Sequence, residues 1–324
     1  MKTLDDKLAK LHADPGGADD FILADAKDAD MAFGLDAPGT DPRSGMPRSL
    51  ADYRDQIREI VSQGLVDIML MSASTSELLT VGERLFHGTA VTPAVRANDA
   101  TDIHLLAGAA SPQQPSRPFR SATIEQIKRA AGADLGLYSL TPANDAVIDV
   151  ASLEAYRDFR IEAESQGFRH FLELFAPNPA AGAPADPERF LNDFVARTLA
   201  GVVSASRPLF LKMPYPGPRA MQALAAYDPH LIPGVLGGAS GTTYDAFFLL
   251  EDARRNGARA ALFGRKIKDS EHPLTFVRQL RAVADGQIAA AEACRAYHGD
   301  LAALGITPRR PLTEDLELTE RWGP

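Results

Sequence analysis

Three segments between Arg207 and Pro273 decide the fold: RPLFLKMPYPG (residues 207–217), IPGVLGGASGTTYDA (232–246) and ARAALFGRKIKDSEHP (258–273). Each is a short apolar run that ends in chemically capable residues. The first ends in Lys212, directly after Leu209, Phe210 and Leu211. The second ends in Gly237, Gly238, Ala239, Ser240 and Gly241, and the third in Gly264, Arg265 and Lys266. Between them lie segments of helical length, Arg219–Tyr227 and Thr243–Asn256, so the order is strand, helix, strand, helix, strand. Right-handed βαβ units put the carboxyl ends of parallel strands on one face, which in a (β/α)8 barrel is the face that carries the active site.

A lysine at the end of an apolar strand has two readings. It is a solvated or ion-paired lysine, the commoner case for a side chain rarely buried without a partner. Or it is a Schiff-base lysine, whose amine is made nucleophilic by apolar neighbours or a nearby cation. The glycine-rich turn at 237–241 lets backbone amides approach an anion, and a helix starts just after it. Gly264 and Arg265 add a second contribution at the next strand end, where barrels often hold phosphate.

The segments LKMPYPG, GVLGGAS and FGRKIKDSEHPLTFVRQLRAV (263–283) resemble class I aldolases of the DeoC/LacD superfamily. Within it, they are similar to DhnA-type fructose-bisphosphate and LacD-type tagatose-bisphosphate aldolases. The resemblance is specific over the last third of the chain and looser before it. It implies a TIM barrel in which the strand-six lysine, here Lys212, forms the imine.

Working outward, the 324 residues include 45% hydrophobic and 24% charged side chains, ordinary for a globular protein. One barrel, residues 1–324, is expected, with an amino-terminal helix and lead-in over 1–20 and a carboxyl-terminal arm over 300–324. The net charge of −9 argues against nucleic acid or an anionic membrane as partner. An anionic substrate then needs a local positive pocket. The single cysteine, Cys294 in AAAEACRAYHG, sits in a helical stretch and reads as a packed or surface thiol. No disulfide can form within the chain, which suits a reducing compartment. The charged start lacks the apolar core of a signal peptide, and no run reaches membrane-spanning length. A cytoplasmic homo-oligomer is expected.

Leu4–His12 reads as a helix and Phe21–Ala24 as the first strand, followed by Asp25, Lys27 and Asp28. By pattern alone Asp25 and Lys27 are a polar loop or part of a site. The resemblance implies a strand-one aspartate close to the Schiff-base lysine, and Asp25 stands at the matching position. Residues 34–48 form a Gly/Pro-rich loop suited to a lid or an oligomer contact. A helix capped by Ser49 runs to about Gln63, and Val66–Met71 is the second strand. Val91–Val95 is the third, leading to Arg96, which could meet a substrate anion or pair with a neighbouring acid. An irregular excursion over 108–120, a helix Thr123–Ala131 and the fourth strand Leu135–Leu140 follow. Gly136 stands where the LacD type carries a strand-four lysine, which implies a different hold on the substrate's second anionic end.

A helix Leu153–Gln166 precedes the fifth strand, Arg169–Phe175. Glu173 interrupts its apolar run, and a buried acid must be paired, neutral or functional. FLELF resembles the FLE of LacD-type enzymes, whose glutamate is the implied acid/base. Phe175 stands where the DhnA type uses a tyrosine, which leaves Glu173. A helix Pro187–Leu199 leads into the opening segments, and Pro273–Ala284 and Ile288–Tyr297 read as helices after strand eight. No HExxH, CxxC pair or clustered His/Asp spacing appears, and no two of the seven histidines share a helix face at ligand spacing. No metal and no cofactor are therefore expected. The expected substrate is a sugar phosphate or similar anionic carbonyl compound. Three functions remain open: an aldolase, a transaldolase-like or acyl-transfer enzyme using the same imine, and a non-catalytic sugar-phosphate-binding regulatory barrel.

Overall fold

The computed structural model describes the chain except for residues 42–44, 102–114, 179–181, 183, 239–240 and 320–324. Its strands in chain order are β1 (Ile22–Lys27), β2 (Ile68–Met71), β3 (Thr92–Arg96), β4 (Asp99–Ala100), β5 (Pro118–Phe119), β6 (Leu135–Leu140), β7 (Arg169–Leu174), β8 (Leu211–Lys212), β9 (Gly234–Leu236) and β10 (Ala260–Phe263). All but β4 and β5 join one parallel sheet in the order β8-β7-β6-β3-β2-β1-β10-β9. A parallel bridge between Met213 and Val235 links its two ends. The result is a (β/α)8 barrel, as expected from the alternation of strands and helices. No described helix is long and apolar enough to cross a membrane.

Strand pleating assigns each residue to one of two apolar layers. Ile22, Ala24, Ile68, Leu70, Ala94, Leu135, Leu137, Phe171, Phe210 and Leu262 form the barrel interior. The intervening residues, such as Leu23, Met69 and Phe263, pack outward on the helices. Leu4, Leu8 and Leu11 of the helix Thr3–Ala13 join the interior cluster and plug the amino-terminal end of the barrel. Lys7 Nζ fixes that plug by donating to the Phe21 carbonyl at 2.9 Å and to Asp67 at 2.8 Å. The opposite mouth is left for the site.

Local signals act largely as read. Ser49 caps the helix Leu50–Gln63 in a capping box with Asp52, and Gly64 ends it in the left-handed region. The helix Ala146–Ser165 starts earlier than the expected Leu153 because the Asp145 carboxylate accepts from the amides of Val147 and Ile148. The excursion after β3 contains a small antiparallel pair, Asp99–Ala100 with Pro118–Phe119, that its polar composition did not announce. The arm carries a short helix, Leu312–Asp315, and packs over the start of the helix Thr243–Arg255. There Thr242 Oγ1 donates to the Glu317 carbonyl at 2.8 Å and the Thr243 amide to Asp315 at 2.7 Å.

Candidate active site

At the carboxyl ends of the strands lies a cavity of about 270 Å³, lined among others by Asp28, Arg96, Glu173, Lys212, Gly238 and Arg265. Its floor is apolar. Phe171 and Phe210, two residues before Glu173 and Lys212 on their strands, stack with ring centroids 4.6 Å apart. Glu173 and Lys212 are register partners on adjacent parallel strands, so their side chains leave the same face. Lys212 Nζ lies 2.5 Å from Glu173 Oε1, with both side chains buried.

The second carboxylate oxygen of Glu173 is held from the other side. Ser139 Oγ donates to Oε2 at 2.8 Å, and Arg96 Nη1 stands 3.5 Å from it. Arg96 also donates to Ser139 Oγ at 2.8 Å, to Asp28 Oδ2 at 2.9 Å and to the Asn98 carbonyl at 3.0 Å. β3, β6, β7 and β8, with the exit of β1, thus supply one continuous polar network over an apolar floor. Burial would raise the Asp28 carboxyl, but the charges of Arg96 and Lys212 outweigh it and hold Asp28 below the usual carboxylate range. Burial would likewise lower the Arg96 guanidinium, yet Asp28 and Glu173 raise it. A buried charge network of this kind persists only when each member is paired.

The expected site residues divide by strand face. Lys212, Glu173, Arg96, Gly237, Gly238, Gly264 and Arg265 line the cavity. Ala239 and Ser240 lie outside the described residues. Asp25 and Lys27 do not line it, a correction to their expected place. Leu23, two residues earlier, packs on the outer helices, and Asp25 and Lys27 continue that side of β1. There Lys27 Nζ is 3.1 Å from Asp25, both fully buried. Burial pushes the Asp25 carboxyl up, and Lys27 opposes the shift. Asp28, at the exit of β1 three residues on from Asp25, is the acid that pairs with Arg96 and feels the charge of Lys212. The inward positions Ile22, Ala24 and Ala26 point to it by alternation.

Gly136, at the position of the LacD-type strand-four lysine, faces away from the cavity. A Cβ there would meet the Phe168 ring at 2.6 Å and Ala97 at 3.3 Å, on the outer side of β6. The residue that β6 turns into the site is Ser139, which sequence reading passed over as an ordinary strand residue.

The side of the cavity beside β9 and β10 is shaped by glycine. A Cβ at Gly237 would fall 2.1 Å from the Phe263 ring, and one at Gly264 would fall 2.6 Å from the Ala26 carbonyl. Gly238 has φ of +59°, a left-handed backbone that reverses the chain after β9. The Gly237 amide donates to the Leu262 carbonyl at 2.8 Å and is committed to the sheet. Lys266 Nζ braces the loop from behind, donating to the carbonyls of Gly241 at 2.9 Å and Thr242 at 3.0 Å. Arg265 sits over the Phe33 ring, 5.8 Å from its centroid, at the cavity edge. Phe33 ends the short helix Asp30–Phe33, and Phe175 adds a second apolar wall.

No family model matches the chain, nor does any curated protein. Solved structures do. An archaeal fructose 1,6-bisphosphate aldolase aligns with a TM-score of 0.63 at 14% identity, over 86% of this chain and 99% of its own. A structure of an archaeal fructose-1,6-bisphosphate aldolase with the catalytic lysine covalently bound to the carbinolamine intermediate of its substrate aligns at 0.64 and 15% identity, over 86% and 100%. The fructose-bisphosphate aldolase from Slackia heliotrinireducens aligns at 0.67 and 14% identity, over 93% and 92%. The chain is similar in fold to class I fructose-bisphosphate aldolases.

Proposed function

We propose that the chain is a class I aldolase, cleaving and forming a C–C bond of a ketose phosphate or related anionic sugar through a Schiff base on Lys212. The observation that carries the reading is the buried contact between Lys212 and Glu173 at the floor of the cavity. A structural ion pair would not need a cavity beside it, and a barrel's carboxyl-terminal mouth is where its chemistry sits.

In this reading Glu173 takes a proton from Lys212, and the neutral amine adds to the substrate carbonyl. The carbinolamine hydroxyl leaves as water with the proton returned by Glu173, which gives the iminium. Glu173, again a carboxylate, accepts the proton of the hydroxyl on the fragment that will leave. The C–C bond then breaks and its electron pair passes into the iminium as an enamine. Protonation and hydrolysis of the enamine release the second product and free Lys212. Ser139 and Arg96 hold Oε2, so Oε1 is the oxygen that works. Asp28 balances Arg96 and helps orient the lysine. Gly238 and the loop after it, with Gly264 and Arg265, hold the phosphate or other oxyanion, which sets the carbonyl against Lys212.

The names of the similar structures make fructose 1,6-bisphosphate the first substrate to try. The test is borohydride trapping with dihydroxyacetone phosphate and with fructose 1,6-bisphosphate, read by mass spectrometry. A reduced adduct on the peptide carrying Lys212 is expected. A protein that binds either compound without forming an adduct would be the regulatory barrel instead. An adduct without retro-aldol turnover would point to transaldol or acyl transfer on the same imine.

A further inference from the structure

A second cluster of chemically capable side chains lies away from the cavity just described. Cys294 and His298 are four residues apart on the helix Ala290–Ala303, so they share a face. Asp315, from the short helix of the arm, meets them there. His298 Nε2 is 2.8 Å from Asp315 Oδ2, Cys294 Sγ is 3.5 Å from the Asp315 carbonyl, and one donor atom from each side chain lies within 4.8 Å of the other two. All three residues are buried. None lines the cavity at Lys212.

We propose that Cys294, His298 and Asp315 form a zinc site that fastens the arm to the barrel. One sulfur, one imidazole nitrogen and one carboxylate oxygen is a donor set suited to Zn²⁺, with a water as fourth ligand. Metal–ligand bonds of about 2.0–2.3 Å place tetrahedral donors about 3.3–3.7 Å apart, so the sulfur moves in and the His298–Asp315 contact opens slightly. The carboxylate is already oriented, because its Oδ1 accepts from the Thr243 amide at 2.7 Å, the outer-shell support that ligands usually have. Arg310 Nη1 stands 3.9 Å from that same oxygen. A cavity of about 290 Å³ bordered by Asp269, Glu271, Lys266, Arg309 and Arg310 opens from outside onto Asp315.

Binding replaces the thiol proton: Cys294–SH and Zn²⁺ give the zinc thiolate and H⁺, while His298 contributes a neutral nitrogen. Zinc uptake therefore releases a proton and strengthens with pH. The cross-link joins the helix Ala290–Ala303 to a residue that also caps the helix Thr243–Arg255, behind the glycine loop.

The test uses the full chain, stripped with a chelator, reloaded with Zn²⁺ and dialysed. One zinc per chain by atomic spectrometry and a raised melting temperature are expected, both lost in Cys294→Ser and in His298→Gln. Should those variants fail to fold, Co²⁺ added to the stripped wild-type protein decides, since a sulfur-to-cobalt charge-transfer band reports ligation by its single cysteine. Absence of that band, or zinc retained equally by both variants, overturns the proposal and leaves a His298–Asp315 hydrogen bond beside a packed thiol.

Discussion

Glu173 and Lys212 face one another across the β7–β8 ladder, and their 2.5 Å contact is a product of sheet register. Adjacent strands lie about 4.8 Å apart, and paired residues project to the same side. The two groups are therefore held together by main-chain hydrogen bonds, whatever the loops above them do.

Lys212→Ala is expected to abolish both borohydride trapping and turnover. Lys212→Arg should do no better, because a guanidinium stays protonated at any working pH and cannot add to a carbonyl. Recovery of turnover in the arginine variant would show that the amine acts only as a cation.

Glu173→Gln keeps the size of the side chain and its hydrogen bond to Ser139 but cannot accept a proton. Imine formation should slow but still be trappable on long incubation, while C–C cleavage falls by roughly 10²–10⁴, the usual contribution of a general base. Single-turnover measurements separate the two steps. Unchanged cleavage per folded molecule would transfer the role of base to Asp28 or to a bound water.

Arg96 is the shared partner of Asp28, Glu173 and Ser139. Arg96→Met would leave two buried carboxylates without it, and a loss of about 3–5 kcal/mol is the order expected for breaking such a pairing. Urea unfolding measures it. Adding Asp28→Asn should restore part of the loss, and strict additivity of the two substitutions would mean that they are not coupled.

Arg265→Ala should raise KM for a phosphorylated substrate by a free energy of about 1.5–3 kcal/mol, the worth of a charged hydrogen bond, with a smaller change in kcat. Steady-state kinetics with a phosphorylated substrate and its unphosphorylated analogue provide the comparison. Equal effects on both would place Arg265 in the packing against Phe33 and not on the anion.

His170 sets a pH dependence of stability. Its ring faces the outer layer of β7, where Nε2 is 2.9 Å from the Tyr156 hydroxyl, and burial lowers its pKa to about 3. The unfolded chain binds this proton from about pH 6.5 downward, whereas the folded chain does not. The contribution of His170 is thus complete above that range and is lost as pH falls toward 3, by about 1.4 kcal/mol per pH unit within the window. His170→Gln should flatten the urea-midpoint profile between pH 6 and 4. An unaltered slope would show that other groups set it.

How much was legible depended on whether burial left a code in the residues. Leu135–Leu140 and Pro273–Ala284 have the expected bounds, since turn and cap residues flank them. The face of β1 was not legible, because both sides of a parallel barrel strand are buried and the alternation of Asp25 and Lys27 with Ala24 and Ala26 does not say which side is inward. Asp25 and Asp28 lie on opposite faces, and only the interior layer that Ile22 and Ala24 join assigns the inward one to Asp28. Ser139 was hidden for a related reason: a lone serine in an apolar strand has no meaning until Arg96 and Glu173 stand beside it. Cys294 and His298 do share a helix face at ligand spacing, but their third partner comes from an arm whose position no local pattern sets.

The division of labour between strands and loops bears on how this protein can diverge. Lys212, Glu173, Arg96 and Ser139 are carried by strands, whereas Phe33, Gly238 and Arg265 belong to the connections above them. Insertions, deletions and drift accumulate in connections far more readily than in a barrel wall. Under the proposed aldolase reading, descendants of this chain can thus trade one substrate for another by rewriting the rim while inheriting the Lys212–Glu173 pair unaltered. A laboratory library confined to the segments after β1, β9 and β10 would explore that same inheritance.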